Sequence, residues 1–191
     1  MKQHQKKEKS NFKKVWEFLW DSNSIWSWIV DFILIFLLVK FIVFPLFSLM
    51  LTSALPFVII ESGSMEHQGT FDSWFSLHGQ WYLENDISKE TVYSWKWNNG
   101  LDKGDIMIIQ GNHQKEYEIG DVIVFNVPGQ NTPTIHRIIN MTDKDYTTKG
   151  DHNDGQLAYE HQIIPNQVIG KAIFRIPKLG WFKLFLYDMF K

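Results

Sequence analysis

The chain has 191 residues, 45% of them hydrophobic and 16% aromatic, with a formal net charge of −2. That length suits one domain with a membrane element, and the near-neutral charge points to no nucleic-acid partner. The chain contains no cysteine, which excludes disulfides, thiolate metal sites and cysteine nucleophiles.

Charge is distributed unevenly. The opening segment "MKQHQKKEKSNFKK" (1–14) is rich in lysine, and the chain after residue 60 leans acidic. A basic flank ahead of an apolar span reads as the cytoplasmic side of a membrane. Trp16, Phe18, Leu19 and Trp20, followed by Trp26 and Trp28, form a tryptophan-rich approach. It either rests at the inner membrane face or packs on the protein itself.

The apolar stretch "DFILIFLLVKFIVFPLFSLMLTSALPFVII" (31–60) comes next. A bilayer core needs roughly 20 mostly apolar residues, and the uncharged run Phe41–Ile60 reaches that length. No polar stripe marks it as the helix of a soluble core. We read a single transmembrane helix over 32–54, N-terminus cytoplasmic. Lys40 lies inside it and must snorkel, pair or face protein, and Pro45 is expected to kink it. The apolar part is too long for a cleavable signal peptide.

"ESGSMEH" (61–67) follows the span directly. The segment 71–97 carries Trp74, Trp81, Trp95 and Trp97 and lacks strand-like alternation, so it reads as a helical insertion. It either holds its own small core or rests on the membrane. "NNG" (98–100) marks a turn. "KGDIMIIQG" from Lys103 and "IGDVIVFNVPG" from Ile119 both read as strands entered through a Gly-Asp turn. "TPTIHRIIN" (132–140), the start of "DYTTKGDHNDGQ" (145–156) and "NQVIGKAIFRIP" (166–177) supply three more. The ending, "LGWFKLFLYDMFK" (179–191), is too short to span a bilayer and reads as an amphipathic tail. The organisation expected is a basic and interfacial segment 1–31, a span 32–54, an extracytoplasmic domain 55–177 and a tail 178–191. The fold class is mainly β.

Nucleophilic catalysis by serine needs a base and a group that orients the base. Candidate serines are Ser62 and Ser64. Candidate bases are His67, His136 and His152, and candidate orienting acids are Asp151 and Asp154. Each has a bland alternative: a histidine within "TIHRII" suits a strand interior, and "GDHNDG" suits a turn.

Taken together, "SGSMEH", "GDVIVF", "TIHRII" and "TKGDHNDG" stand in the order seen in type I signal peptidases. The chain from about Phe32 to Pro177 resembles the branch found in archaea, the ER membrane and some Gram-positive spore formers. The resemblance implies an antiparallel β-rich catalytic domain behind one membrane helix. It implies a membrane-bound serine endopeptidase that removes signal peptides from secreted preproteins and uses no cofactor or metal. Ser64 would be the nucleophile, His136 the base and Ser62 an oxyanion donor beside the Ser64 N–H. Asp154 is preferred as the orienting acid, with Asp151 as the alternative. His67 stands where the family has proline, and His67 and Lys149 are rival bases. Substrate would lie extended against "LPFVII", with pockets from Phe57, Ile59 and the strand that starts at Gly120, Asp121 and Val122. Implied partners are preprotein signal peptides, the lipid bilayer and the protein translocation channel. The cell membrane is the expected location. The competing readings are a non-catalytic membrane-anchored β-domain serving as an interaction subunit, and a processing peptidase for a restricted set of proteins.

Overall fold

The computed structural model describes residues 10–20, 24–111 and 117–189. Most of the lysine-rich opening segment and the last two residues of the tail lie outside them. The chain divides into two compact units, Met1–Leu46 and Phe47–Lys191.

In the first unit, helix α1 (Asn11–Trp20) precedes helix α2 (Ile25–Leu38). Ser24 caps α2 by accepting the Trp26 N–H. Trp16 and Trp20 stack at 4.9 Å, and these rings, with Trp26 and Trp28, are exposed. A π-turn (Val39–Val43) leads into helix α3 (Phe44–Met50). Within that turn the Phe44 N–H reaches back to the Val39 carbonyl. Pro45 has no N–H to give, and the helix widens just ahead of it. Together these segments make a 26-residue helix, Ile25–Met50. Among the described residues it is the one long and apolar enough to cross a bilayer. The Ser24 cap sets its start, so that Trp26 and Trp28 lie within the helix.

The second unit is built on a six-stranded sheet with order β1-β2-β6-β3-β4-β5, every neighbouring pair antiparallel. The strands are β1 (Phe57–Ile59), β2 (Ile106–Gln110), β3 (Val122–Phe125), β4 (Thr134–Met141), β5 (Tyr146–Lys149) and β6 (Val168–Ile176). They fall where the apolar runs between Gly, Asp and Pro turn signals predict them. The fold of this unit is mainly β, with helices.

Strand β3 is buried throughout. Its Val122 and Val124 join a core on one face with Ile60, Met65, Leu101 and Met107. Its Ile123 and Phe125 join a second core with Ile138, Tyr146 and Ile163. A strand covered on both faces explains why "VIVF" shows no polar alternation.

The insertion is helical, as its composition predicts. Helix α4 (Phe71–Glu84) opens with a capping box, in which Thr70 Oγ1 accepts the Ser73 N–H and Ser73 Oγ accepts the Thr70 N–H. Helix α5 (Lys89–Ser94) starts from a Ser88 cap. Phe71, Trp74, Phe75, Tyr82 and Val92 form a small core that packs on Ile139 of β4. Helix α6 (Trp181–Met189) ends the described chain. It buries Leu184 and leaves Phe182, Phe185 and Tyr187 exposed.

Gly120 serves the turn ahead of β3. Its φ is +97°, and a Cβ there would stand 2.3 Å from Trp95 Cδ1. Its carbonyl accepts from Arg137 Nη1 at 2.9 Å. Gly120→Ala is expected to destabilise the domain by more than about 1 kcal/mol, through the left-handed backbone and the displaced ring. A lowered thermal midpoint relative to the parent chain checks this.

Candidate active site

Strand β4 divides its neighbouring side chains between two faces. His136 pairs in register with Ile123 of β3, and Arg137 pairs with Val122 on one side and Lys149 of β5 on the other. His136 faces a cleft, whereas Arg137 points to the opposite side and is wholly buried.

On the cleft side, Ser64 Oγ lies 3.0 Å from His136 Nε2. Ser62 Oγ lies 3.1 Å from Ser64 Oγ. The other ring nitrogen, His136 Nδ1, lies 2.5 Å from Glu160 Oε1. Glu160 closes a short 3₁₀ turn (Ala158–Glu160) and is completely buried. Its two oxygens accept backbone N–H groups, from Gly150 at 3.1 Å and from Leu157 at 2.6 Å. Hydroxyl, imidazole and buried carboxylate therefore stand in line, an arrangement that can pass a proton from the serine to the ring.

Gly150 makes the approach possible. A Cβ there would fall 2.9 Å from His136 Nε2 and 3.0 Å from the Ser64 carbonyl. The following loop grips the serine segment: the His152 N–H donates to the Ser64 carbonyl at 2.9 Å, and His152 Nδ1 lies 3.0 Å from the Glu66 carbonyl.

The two aspartates expected as orienting acids stand elsewhere. Asp154 has a fully exposed side chain, and its ion-pair neighbour is His78 Nδ1 at 3.7 Å. Asp151 is buried on the Arg137 side. Arg137 donates from Nε to Oδ1 at 2.9 Å and from Nη2 to Oδ2 at 2.6 Å. His67 Nε2 lies 3.1 Å from Oδ2, and the Tyr82 hydroxyl donates to Oδ1 at 3.3 Å. The acid beside His136 is Glu160, nine residues beyond Asp151, which a reading confined to aspartates passes over. Its signal was a carboxylate further along the same loop.

The rival bases are committed to other partners. His67 stacks on Trp74 at 3.6 Å, with ring planes 7° apart, as well as meeting Asp151. Lys149 donates to the Gly150 and Asn153 carbonyls.

The cleft encloses about 500 Å³. One wall is edge strand β1 with Phe57, Val58 and Ile59, continuing to Glu61, Ser62 and Ser64. The other runs from Thr132 to His136, with Leu157 and Tyr159 closing it. Phe57 and Ile59 both line the cleft. Gly120, Asp121 and Val122 do not line the cleft. Gly120 shapes the turn beneath Arg137, Asp121 pairs with Lys171 at 3.1 Å, and Val122 lies in the core. The second wall comes from β4 and the segment before it, because β3 is buried between β6 and β4.

No protein-family model matches the chain. Curated relatives do, and three of them illustrate the likeness. Signal peptidase complex catalytic subunit SEC11 of Colletotrichum graminicola is 27% identical over 107 residues, 51% of this chain and 62% of the relative. SEC11 of Scheffersomyces stipitis is 30% identical over 107 residues, 51% of this chain and 64% of the relative. Human SEC11C is 29% identical over 96 residues, 45% of this chain and 50% of the relative. The chain is homologous to signal peptidase catalytic subunits. It spans between half and two thirds of the length of these relatives.

The electrostatics behind the cleft give a separate test. Burial alone would raise the Asp151 carboxyl. The Arg137 guanidinium, with hydrogen bonds from His67 and Arg137, outweighs burial and holds it well below the usual carboxylate range. A depressed folded value means stability that is present above the unfolded pKa, near 3.9, and lost as pH falls through the folded value. Asp151→Asn leaves Arg137 buried without its counter-charge and is expected to cost about 3–5 kcal/mol at neutral pH. Denaturant unfolding of the variant and the parent at pH 7 measures the difference.

Proposed function

We propose that this protein is a membrane-anchored serine endopeptidase of the signal peptidase type, which removes N-terminal signal peptides from secreted preproteins. The observation that carries the reading is the Ser64–His136–Glu160 line, whose Ser64 and His136 line a cleft walled by edge strand β1. Homology to signal peptidase catalytic subunits supports the substrate class.

The preprotein lies extended between β1 and the 132–135 segment, adding backbone hydrogen bonds to the exposed edge of β1. Alternate substrate side chains then point into the cleft. Ser64 Oγ attacks the scissile carbonyl carbon while its proton passes to His136 Nε2. Glu160 holds the ring with Nε2 facing the serine and stabilises the imidazolium that forms. The oxyanion is met by the Ser64 N–H and by the Ser62 hydroxyl, which turns from Ser64 Oγ towards the new charge. Collapse breaks the peptide bond, and His136 returns the proton to the leaving amine. Water then repeats the sequence on the acyl-serine, releasing the signal peptide and restoring Ser64.

Helix Ile25–Met50 anchors the chain in this reading. The lysine-rich segment stays in the cytoplasm, and the domain from residue 55 works on the opposite side. Signal peptides and the bilayer are the proposed partners, with the translocation channel as the source of substrate.

The test is cleavage of a preprotein in detergent. Ser64→Ala should abolish it, and Glu160→Gln should lower kcat by about 10³–10⁴-fold. Ser62→Ala should lower kcat by about 10²–10³-fold, as for one lost oxyanion donor. Asp154→Asn should leave the rate within about twofold, because that carboxylate is in solvent. Activity of Ser64→Ala equal to the parent's would overturn the function. A severe loss in Asp154→Asn with a mild one in Glu160→Gln would reassign the acid.

A further inference from the structure

Lys149 is wholly buried at the end of β5, in the motif that carries the catalytic loop, and the mechanism above gives it no part. Its Nζ donates to the Gly150 carbonyl at 3.1 Å and to the Asn153 carbonyl at 2.7 Å. The same turn is closed by the Asn153 N–H on the Gly150 carbonyl at 3.0 Å. On its other side the ammonium faces two rings of helix α4, Tyr82 at 4.8 Å and Trp81 at 5.2 Å. An ammonium has three donors and no acceptor, and electron-rich ring faces complete its surroundings when water is excluded.

The loop it grips touches both ends of the proton path. The His152 N–H holds the Ser64 carbonyl, and the Gly150 N–H holds Glu160 Oε1. The insertion reaches the same assembly at two further points, Tyr82 on Asp151 and Trp74 on His67.

We infer that Lys149 is a positioning residue: its ammonium ties residues 150–153 into the shape that aligns Ser64 with His136 and Glu160, and the helical insertion supplies the aromatic wall that holds it there. This rests on the proposed peptidase reading for its effect on rate. It also gives the tryptophan-rich insertion a function other than resting on a membrane.

The charges around Lys149 set where the device fails. Burial lowers its pKa, and Arg137 adds to that. Asp151, Glu160 and Asp154 favour the ammonium, and the balance leaves it at about 8. His78, also in its field, is itself lowered, chiefly by burial. Tyr82, in contact with it, is raised well above 10 and stays neutral through this range. As pH rises through about 8 the ammonium becomes an amine, the attraction to the rings is lost and the carbonyl contacts weaken. Rate should therefore fall on the alkaline side. A lysine serving as the proton acceptor would do the opposite, gaining activity as it deprotonates.

The experiment uses the full chain in detergent micelles, with kcat and KM for preprotein cleavage followed across the alkaline range. In parallel, NMR follows the labelled Lys149 Cε and the amides of residues 150–153. For the parent chain, kcat is expected to fall about tenfold above the Lys149 midpoint while KM holds, since Lys149 lies outside the cleft. The loop amides should titrate with the same midpoint as Lys149 Cε. Lys149→Met should lower kcat about tenfold at neutral pH, with KM unchanged and the alkaline fall removed. Trp81→Ala should remove the ring-current shift of Lys149 Cε and lower kcat. A rate that rises through the Lys149 midpoint, an unchanged kcat in Lys149→Met, or loop amides indifferent to the Lys149 titration each overturns the inference. Should the parent chain cleave no preprotein, the peptidase reading fails, and the NMR titration still decides whether Lys149 holds the loop.

Discussion

A carboxylate without access to water must be met by donors or counter-charge, or it destabilises the fold. Glu160 has no solvent exposure, and the groups that meet it are the imidazole of His136 and the N–H groups of Gly150 and Leu157. Those contacts fix three things together: the start of the loop 150–160, its end and the ring set against Ser64. The burial that makes Glu160 expensive also makes its position definite.

The same requirement governs the other side of β4. Arg137 and Asp151 neutralise each other there, and the remaining Arg137 donors satisfy the carbonyls of Lys96, Trp97 and Gly120. One strand thus carries the cleft-facing imidazole of His136 on one face and the buried Arg137 cation on the next residue. Period-two alternation keeps them apart although they are neighbours in the chain. Helix α4 stands against the second face, where Tyr82, Trp74 and Trp81 touch Asp151, His67 and Lys149. Its small core packs on Ile139, two residues along β4 from Arg137. An insertion docked on the strand and loops that carry the site has a direct route to the geometry of that site.

Much of this was legible in the sequence, and for identifiable reasons. The strands announced themselves through Gly-Asp and Pro-Gly turns around short β-branched runs, which report local backbone preference. The nearness of Ser64 to His136 was legible because their flanking motifs are local. The carboxylate beside the ring was not, since that placement depends on how the loop 150–160 folds back, and a chain can bring any carboxylate of that loop to the ring. Asp154 looked suitable beside "GDHN" but points into water, whereas Glu160 sits at the end of a 3₁₀ turn with no motif around it. Gly120, Asp121 and Val122 misled in a similar way. Their Gly-Asp turn resembles a site loop, yet it places β3 between two neighbours, where its side chains serve the core. His67 and Lys149 are titratable groups near the serine in sequence or in space, and burial with specific partners turns them into supports.

The central claim is that Glu160 sets the proton arrangement on His136. Nitrogen-15 NMR of histidine-labelled full chain, in the neutral imidazole form, reads this directly. The account predicts a His136 ring protonated at Nδ1, with that proton far downfield against Glu160 and Nε2 free to accept from Ser64. It predicts that Glu160→Gln moves a measurable share of the proton to Nε2, while Asp154→Asn leaves the spectrum unchanged. A parent chain with the His136 proton on Nε2, or a Glu160→Gln spectrum the same as the parent's, would contradict it.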